Sequence, residues 1–152
     1  MWPITPIMSL LPTAIVCVDE REEWEYRLEV SADHLLVHPQ FDGFANVVNW
    51  VNRTVTSKIV VMIDDDFELV KSMTGGCRTI RRHEEILSII ENGARVALDL
   101  GVSTFTWTRN YNPIMVNAVA MPFKPVGQLA GAFGVIGSAK HRLMDPACSG
   151  RN

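Results

Sequence analysis

The stretch SKIVVMIDDDFELV, Ser57 to Val70, decides how the rest of the chain is read. From Lys58 to Ile63 it is almost wholly aliphatic, and then Asp64, Asp65 and Asp66 follow in succession. A continuous aliphatic run of this length predicts a central parallel strand covered on both faces. In a strand, residues two apart project to the same side, so Asp64 and Asp66 form a pair while Asp65 faces away. Ligands of open α/β sheets bind just outside the carboxyl ends of the strands, which is where this triplet falls. Two adjacent carboxylates repel unless a positive charge lies between them. A divalent cation answers that need, because magnesium and manganese take one or two carboxylates and complete their shell with water and phosphate oxygens. The competing reading is a helix cap or a solvated turn, which one aspartate would fit well and three fit poorly.

Working outward, the flanking segments alternate between the two periodicities. Upstream, TAIVCV (Thr13 to Val18) is a β-branched run ending at Asp19, and EREEWEYRLEV after it reads as helix or loop. HLLVHP predicts a second strand closed by Pro39, and QFDG a turn. Phe44, Val47, Val48, Val51 and Val55 recur at helical spacing, opposite Asn46, Asn49, Asn52 and Arg53. Downstream, Ile86, Ile89, Ile90, Ala94, Ala97 and Leu100 make one face of a helix over Arg81 to Leu100, and Gly101 is its expected stop. STFTWT reads as a strand, NYNP as a turn and IMVNAVAMPF as an extended segment. Strands alternating with helices predict an α/β fold with a mostly parallel sheet over the first hundred residues or so.

At 152 residues, 47% of them hydrophobic, the chain has the size of a single domain, residues 1–152, with material for a core. Its net charge of −3 lacks the basic footprint of a protein that grips nucleic acid chiefly through phosphates, so any DNA contact is local. Cys17, Cys77 and Cys148 form no CxxC pair and suit a reducing, cytoplasmic setting. The apolar N-terminus lacks a basic leader and carries Pro3, Pro6 and Pro12, which argues against an export signal. No run reaches the roughly 18 apolar residues of a membrane span. The final GQLAGAFGVIGSAKHRLMDPACSGRN stops in polar, loop-like sequence, the expected appearance of a chain truncated at its C-terminus.

With those residues laid out, GFANVVNWVNRTVTSKIVVMIDDDF resembles a segment of the phage TET-associated glycosyltransferases, a branch of the GT-A glycosyltransferases. In that family a Gly-rich turn and an Arg-Asn-Trp helix start precede a strand ending in Asp-Asp-Asp. EEILSIIENGARVALDLGVSTFTWTRNYNP is similar to their following helix, small-residue strand and Asn-Pro turn, and GAFGVIG to their glycine-rich acceptor-side strand. The resemblance implies a GT-A-like, Rossmann-like sheet flanked by helices, with the triplet as its DXD motif. It implies Mn2+ or Mg2+ as cofactor, a nucleotide-sugar donor, and a hydroxymethylated pyrimidine in DNA as acceptor. Asp66 would ligate the metal bridging the donor diphosphate, Asp64 would share the metal or contact the ribose, and Asp65 would steady the turn or the donor sugar. Asp19 would hold the donor base, although a helix N-cap is the other reading of that residue. Asn49 and Trp50 match the family's Asn-Trp. Val48 stands where the family has arginine, and the family's Glu-Asp pair would fall beyond Asn152. Two alternatives stay open: a non-catalytic nucleotide-sugar-binding module, and a metal-dependent nucleotidyl- or phosphotransferase using the same carboxylates.

Other signals read more plainly. His34 and His38 bracket LLV as strand-end histidines rather than metal ligands. Arg78, Arg81, Arg82 and His83 after Thr74 to Gly76 form either a phosphate-steering cluster or a solvated helix start. The glycines of GAFGVIG lack the spacing of a dinucleotide fingerprint. Trp24, Trp50 and Trp107 are read as packing residues rather than base platforms.

Overall fold

A computed structural model describes residues 5–64, 70–72, 78–107 and 132–136. Asp65, Asp66, Phe67, the glycines of Thr74 to Gly76, the NYNP turn, the IMVNAVAMPF segment and the C-terminal loop lie outside them. The protein is a small α/β fold in which helices accompany a two-stranded parallel sheet and further strands. It divides into two compact units, one holding residues 13–60 and the other residues 4–12 and 61–136.

In the first unit, β1 (Val16–Asp19) and β2 (Leu35–His38) pair in parallel, with Val16 opposite Leu35 and Asp19 opposite His38. A parallel pair needs a crossover, and here it is supplied by the short helix α2 (Glu23–Tyr26) and a 3-10 turn over Ala32–His34. The charged EREEWEYRLEV segment is therefore a brief helix continued by turns. Helix α3 (Phe44–Thr54) follows within the predicted span. Its buried face runs through Ala45, Val48, Asn49 and Val51, while Phe44, expected on that face, is 56% exposed. Phe44 is the first helical residue, directly after Gly43 at φ 81°, and Asn49, expected on the polar side, is buried instead. Val18, Val30, Ala45, Val48 and Val51 form this unit's core.

In the second unit, α1 (Thr5–Leu10) places Ile7, Leu10 and Leu11 in the interior. The aliphatic run becomes β3 (Ile59–Ile63), which enters this unit at residue 61 and whose five residues are all half-buried. The strand order is β3-β7-β6, with β6 spanning Thr104–Thr106 and β7 spanning Ala132–Ile136. Among the described residues β3 therefore stands at an edge, and the GAFGVIG segment supplies the middle strand. Antiparallel pairing joins β6 to β7, and also β4 (Val70–Ser72) to β5 (Arg78–Ile80). The expected mostly parallel sheet is therefore seen in β1 with β2, whereas β4 with β5 and β6 with β7 run antiparallel.

Helix α4 (His83–Asp99) packs on β6 and β7 with Ile86, Ala94 and Ala97 buried. It stops where the glycine predicts. Gly101 takes φ 66°, its N–H donates to the Leu98 carbonyl at 3.0 Å, and the Val102 N–H donates to the Ala97 carbonyl at 3.2 Å. That pair of bonds is a Schellman ending, in which a left-handed glycine lets the last free carbonyls of the helix find donors.

Candidate functional site

Two groups of predicted site residues lie at strand ends, one in each unit. In the first unit, β1 and β2 finish in register, which brings Asp19 and His38 side by side at the carboxyl edge of the parallel pair. The ladder runs one residue further, with the Glu20 N–H donating to the His38 carbonyl at 2.9 Å.

Asp19 is held by Arg21. The Arg21 backbone N–H donates to Asp19 Oδ1 at 2.9 Å, Nε donates to the same oxygen at 2.8 Å, and Nη2 donates to Oδ2 at 2.8 Å. The guanidinium fork and the backbone N–H favour the ionised form, so the carboxyl is lowered from 3.8 to about 2, with a lesser pull from His38. Arg21 is raised in return. The N-cap reading of Asp19 does not hold, since α2 begins at Glu23 with Glu22 in the cap position. The carboxylate instead closes a turn onto the residue two ahead. A carboxylate offers about four lone-pair positions, and three are occupied here. Among the described residues one acceptor site, on Oδ2, is left for another donor.

His38 is 7% exposed, and its Nδ1 lies 2.8 Å from the Pro39 carbonyl, which can only accept, so Nδ1 carries the proton. Its ring stacks on Phe41 at 5.7 Å with 19° between planes, and Trp50 lies tilted 5.9 Å away. Phe41 and Trp50 are themselves 6.4 Å apart. These three rings form an aromatic cluster beside the strand ends, with Phe41 and Trp50 half-buried. It was not read from the sequence, where His38, Phe41 and Trp50 belong to three different segments. The available signal was two aromatics, Phe41 and Trp50, following a strand-end histidine. Asn49, next to Trp50, lies on the inward face of α3 and is 5% exposed. His34 has its own backbone partner, with Nδ1 3.0 Å from the Ala14 carbonyl.

In the second unit, Asp64 is the residue directly after β3 and is half-buried. The other members of the triplet, Asp65 and Asp66, lie outside the described residues. Among the described residues no three of His, Cys, Asp and Glu are grouped to hold a metal ion.

The basic cluster is largely matched by the chain's own acids. Arg78 pairs with Glu85, Arg82 Nε lies 3.9 Å from Glu84 Oε2, and His83 Nδ1 lies 3.3 Å from Glu84 Oε1. The Arg78–Glu85 hydrogen bonds raise the arginine and lower the glutamate. Acids in the first turn of α4 also suit the positive end of its dipole, which favours the solvated helix-start reading.

Among the described residues no helix is long and apolar enough to cross a membrane. No protein-family model, curated protein or solved structure matches the chain.

Proposed function

We propose that the chain is a GT-A-like, metal-dependent glycosyltransferase domain that moves a sugar from a nucleotide-sugar donor to a hydroxymethylated pyrimidine in DNA, working in the cytoplasm. The observation that carries this reading is the placement of Asp64, the first of three consecutive aspartates, directly after an aliphatic strand. The acceptor rests on the family resemblance. Carboxylate oxygens are hard donors that suit Mn2+ or Mg2+, and such ions keep several water or phosphate ligands besides one or two carboxylates. Asp64 and Asp66 are the residues that would hold the ion. Bound there, it would offset the negative charge that grows on the departing diphosphate.

By the family resemblance, Asp19 would hold the donor base. At the carboxyl edge of β1 and β2, Asp19 offers one oriented acceptor site beside the aromatic faces of Phe41 and Trp50. A planar base can stack on such faces while its N–H finds an acceptor. Asn49, buried beside Trp50, would support that wall rather than reach the ligand.

The test is heat stability with manganese and a panel of nucleotide sugars, followed alongside release of free nucleoside diphosphate in the presence of hydroxymethylated DNA. Metal-dependent stabilisation with release supports a transferase; stabilisation without release makes the protein a binding module. If Asp66→Ala leaves metal and donor affinity unchanged, the site assignment is wrong.

A further inference from the structure

The segment after β1 carries an exposed apolar pair in an acidic setting that the proposed transferase chemistry does not use. Trp24 is 65% exposed and Leu28 is 76% exposed. The helical turns of α2 continue past Tyr26, with the Arg27 N–H on the Glu23 carbonyl at 3.0 Å and the Val30 N–H on the Tyr26 carbonyl at 2.8 Å. Residues four apart on such turns lie one above the other, so Trp24 and Leu28 share a face. Val30, 6% exposed, anchors the end of the segment in the core.

Charge identifies what suits this face. From Asp19 to Glu29 there are six acids and two arginines, an excess of four negative charges against −3 for the whole chain. Both arginines are already engaged, Arg21 with Asp19 and Arg27 with Glu23, where Nε donates at 2.7 Å. Glu22, Glu25 and Glu29 have no ion-pair partner among the described residues, and their spacing runs them as a stripe alongside Trp24 and Leu28. Phosphate backbones and anionic lipid headgroups are repelled by such a stripe. A cationic surface is drawn to it.

We propose that the Trp24–Leu28 face docks a basic amphipathic segment of a partner protein, its apolar side chains covering Trp24 and Leu28 while its Lys and Arg side chains meet Glu22, Glu25 and Glu29. Tryptophan is enriched among binding hot spots, and interface rims are polar.

The probe is a synthetic peptide with alternating lysine and leucine, titrated against the full chain by fluorescence anisotropy at low and at physiological ionic strength. Two control peptides carry serine for each leucine or glutamate for each lysine. The expected result is binding of the lysine–leucine peptide, weakened about tenfold or more by Trp24→Ser or Leu28→Ser. Both controls should bind more weakly by a similar factor. Glu22→Gln, Glu25→Gln and Glu29→Gln together should weaken binding and flatten its salt dependence, since screening acts on the charge stripe. Circular dichroism verifies that each variant keeps its fold, and the charge variant remains informative if an apolar one does not. The proposal is overturned if the Trp24→Ser, Leu28→Ser double variant binds as the parent does, or if the glutamate–leucine peptide binds equally well. It is also overturned if the parent sediments as a dimer that Trp24→Ser dissociates, because a second copy then covers the face.

Discussion

Replacing Gly93 with alanine sets two effects of known sign against each other. Gly93 sits inside α4, where glycine costs about 1 kcal/mol relative to alanine, so propensity alone makes Gly93→Ala stabilising. The space beside it is occupied. A Cβ at Gly93 would lie 2.8 Å from Trp107 Cζ2, 3.2 Å from Cε2 and 3.3 Å from Nε1. The indole is also held on another side by an edge contact with Phe105, at 5.1 Å and 68°. Relieving a 2.8 Å approach moves the ring by more than half an ångström to reach ordinary contact, and overpacking of this kind costs about 1–3 kcal/mol. The steric cost exceeds the gain in helix propensity, so Gly93→Ala should destabilise the protein by about 1 kcal/mol net, a fall of about 3 °C in Tm. In a Trp107→Ala background the obstacle is gone and the same substitution should stabilise by about 1 kcal/mol. Urea unfolding of all four proteins, followed by far-ultraviolet circular dichroism because an indole is being removed, gives the coupling energy directly. A Gly93→Ala variant that is more stable in both backgrounds by the same amount would refute the packing of Trp107 on α4.

The remaining expectations are brief. Asp19 is lowered in the fold to about 2 from an ordinary 3.8, so the stability from its contact with Arg21 is full above the ordinary value and is lost as pH falls from near 4 toward 2. Arg21→Ala should return the Asp19 carboxyl toward its ordinary titration by carbon-13 NMR and remove that part of the acid dependence. Ile86 is 1% exposed, so Ile86→Ala should cost about 3 kcal/mol and Ile86→Val about 1 kcal/mol in urea unfolding. Gly101 has open space around its absent Cβ but a φ of 66°, so Gly101→Ala should cost about 1 kcal/mol through the backbone alone. Gly101→Asn should cost less, because asparagine tolerates the left-handed region.

Local rules made the helices α3 and α4 and the strands β1, β2 and β3 legible in advance. Their signals are contained within each segment, as apolar spacing over α4, a glycine at its end, or an unbroken aliphatic run in β3. What the sequence hid depends on partners distant along the chain. The neighbour of β3 is β7, near residue 134, and no pattern within Ile59–Ile63 names it. The three-residue strands β4 and β5 are too short to show a period of two. Spacing places Phe44 inward and Asn49 outward, whereas the folded helix exposes Phe44 and buries Asn49. The candidate site divides in the same way. Asp19 and Asp64 were found as strand-end carboxylates, whereas the rings of His38, Phe41 and Trp50 meet only once β2 and α3 are folded.

The two carboxylate positions also differ in what they can give a ligand. Arg21 already neutralises Asp19 and occupies three of its acceptor positions, so a donor that reaches it finds one oriented lone pair and little net charge. Under the proposed function, Asp19 therefore selects by hydrogen-bond geometry, as recognition of a base edge requires, and contributes little to holding a phosphate-bound cation. Under the same proposal Asp64 and Asp66 would have the opposite value, since a divalent ion would relieve repulsion between neighbouring carboxylates. Asp19→Asn should accordingly weaken the Arg21 fork and change preference among nucleotide bases while leaving manganese dependence intact. Asp66→Asn should raise the manganese concentration needed for stabilisation and leave base preference unchanged. A thermal-stability matrix of nucleotide against metal concentration separates the two, and identical changes in both variants would show that the carboxylates do not divide the work.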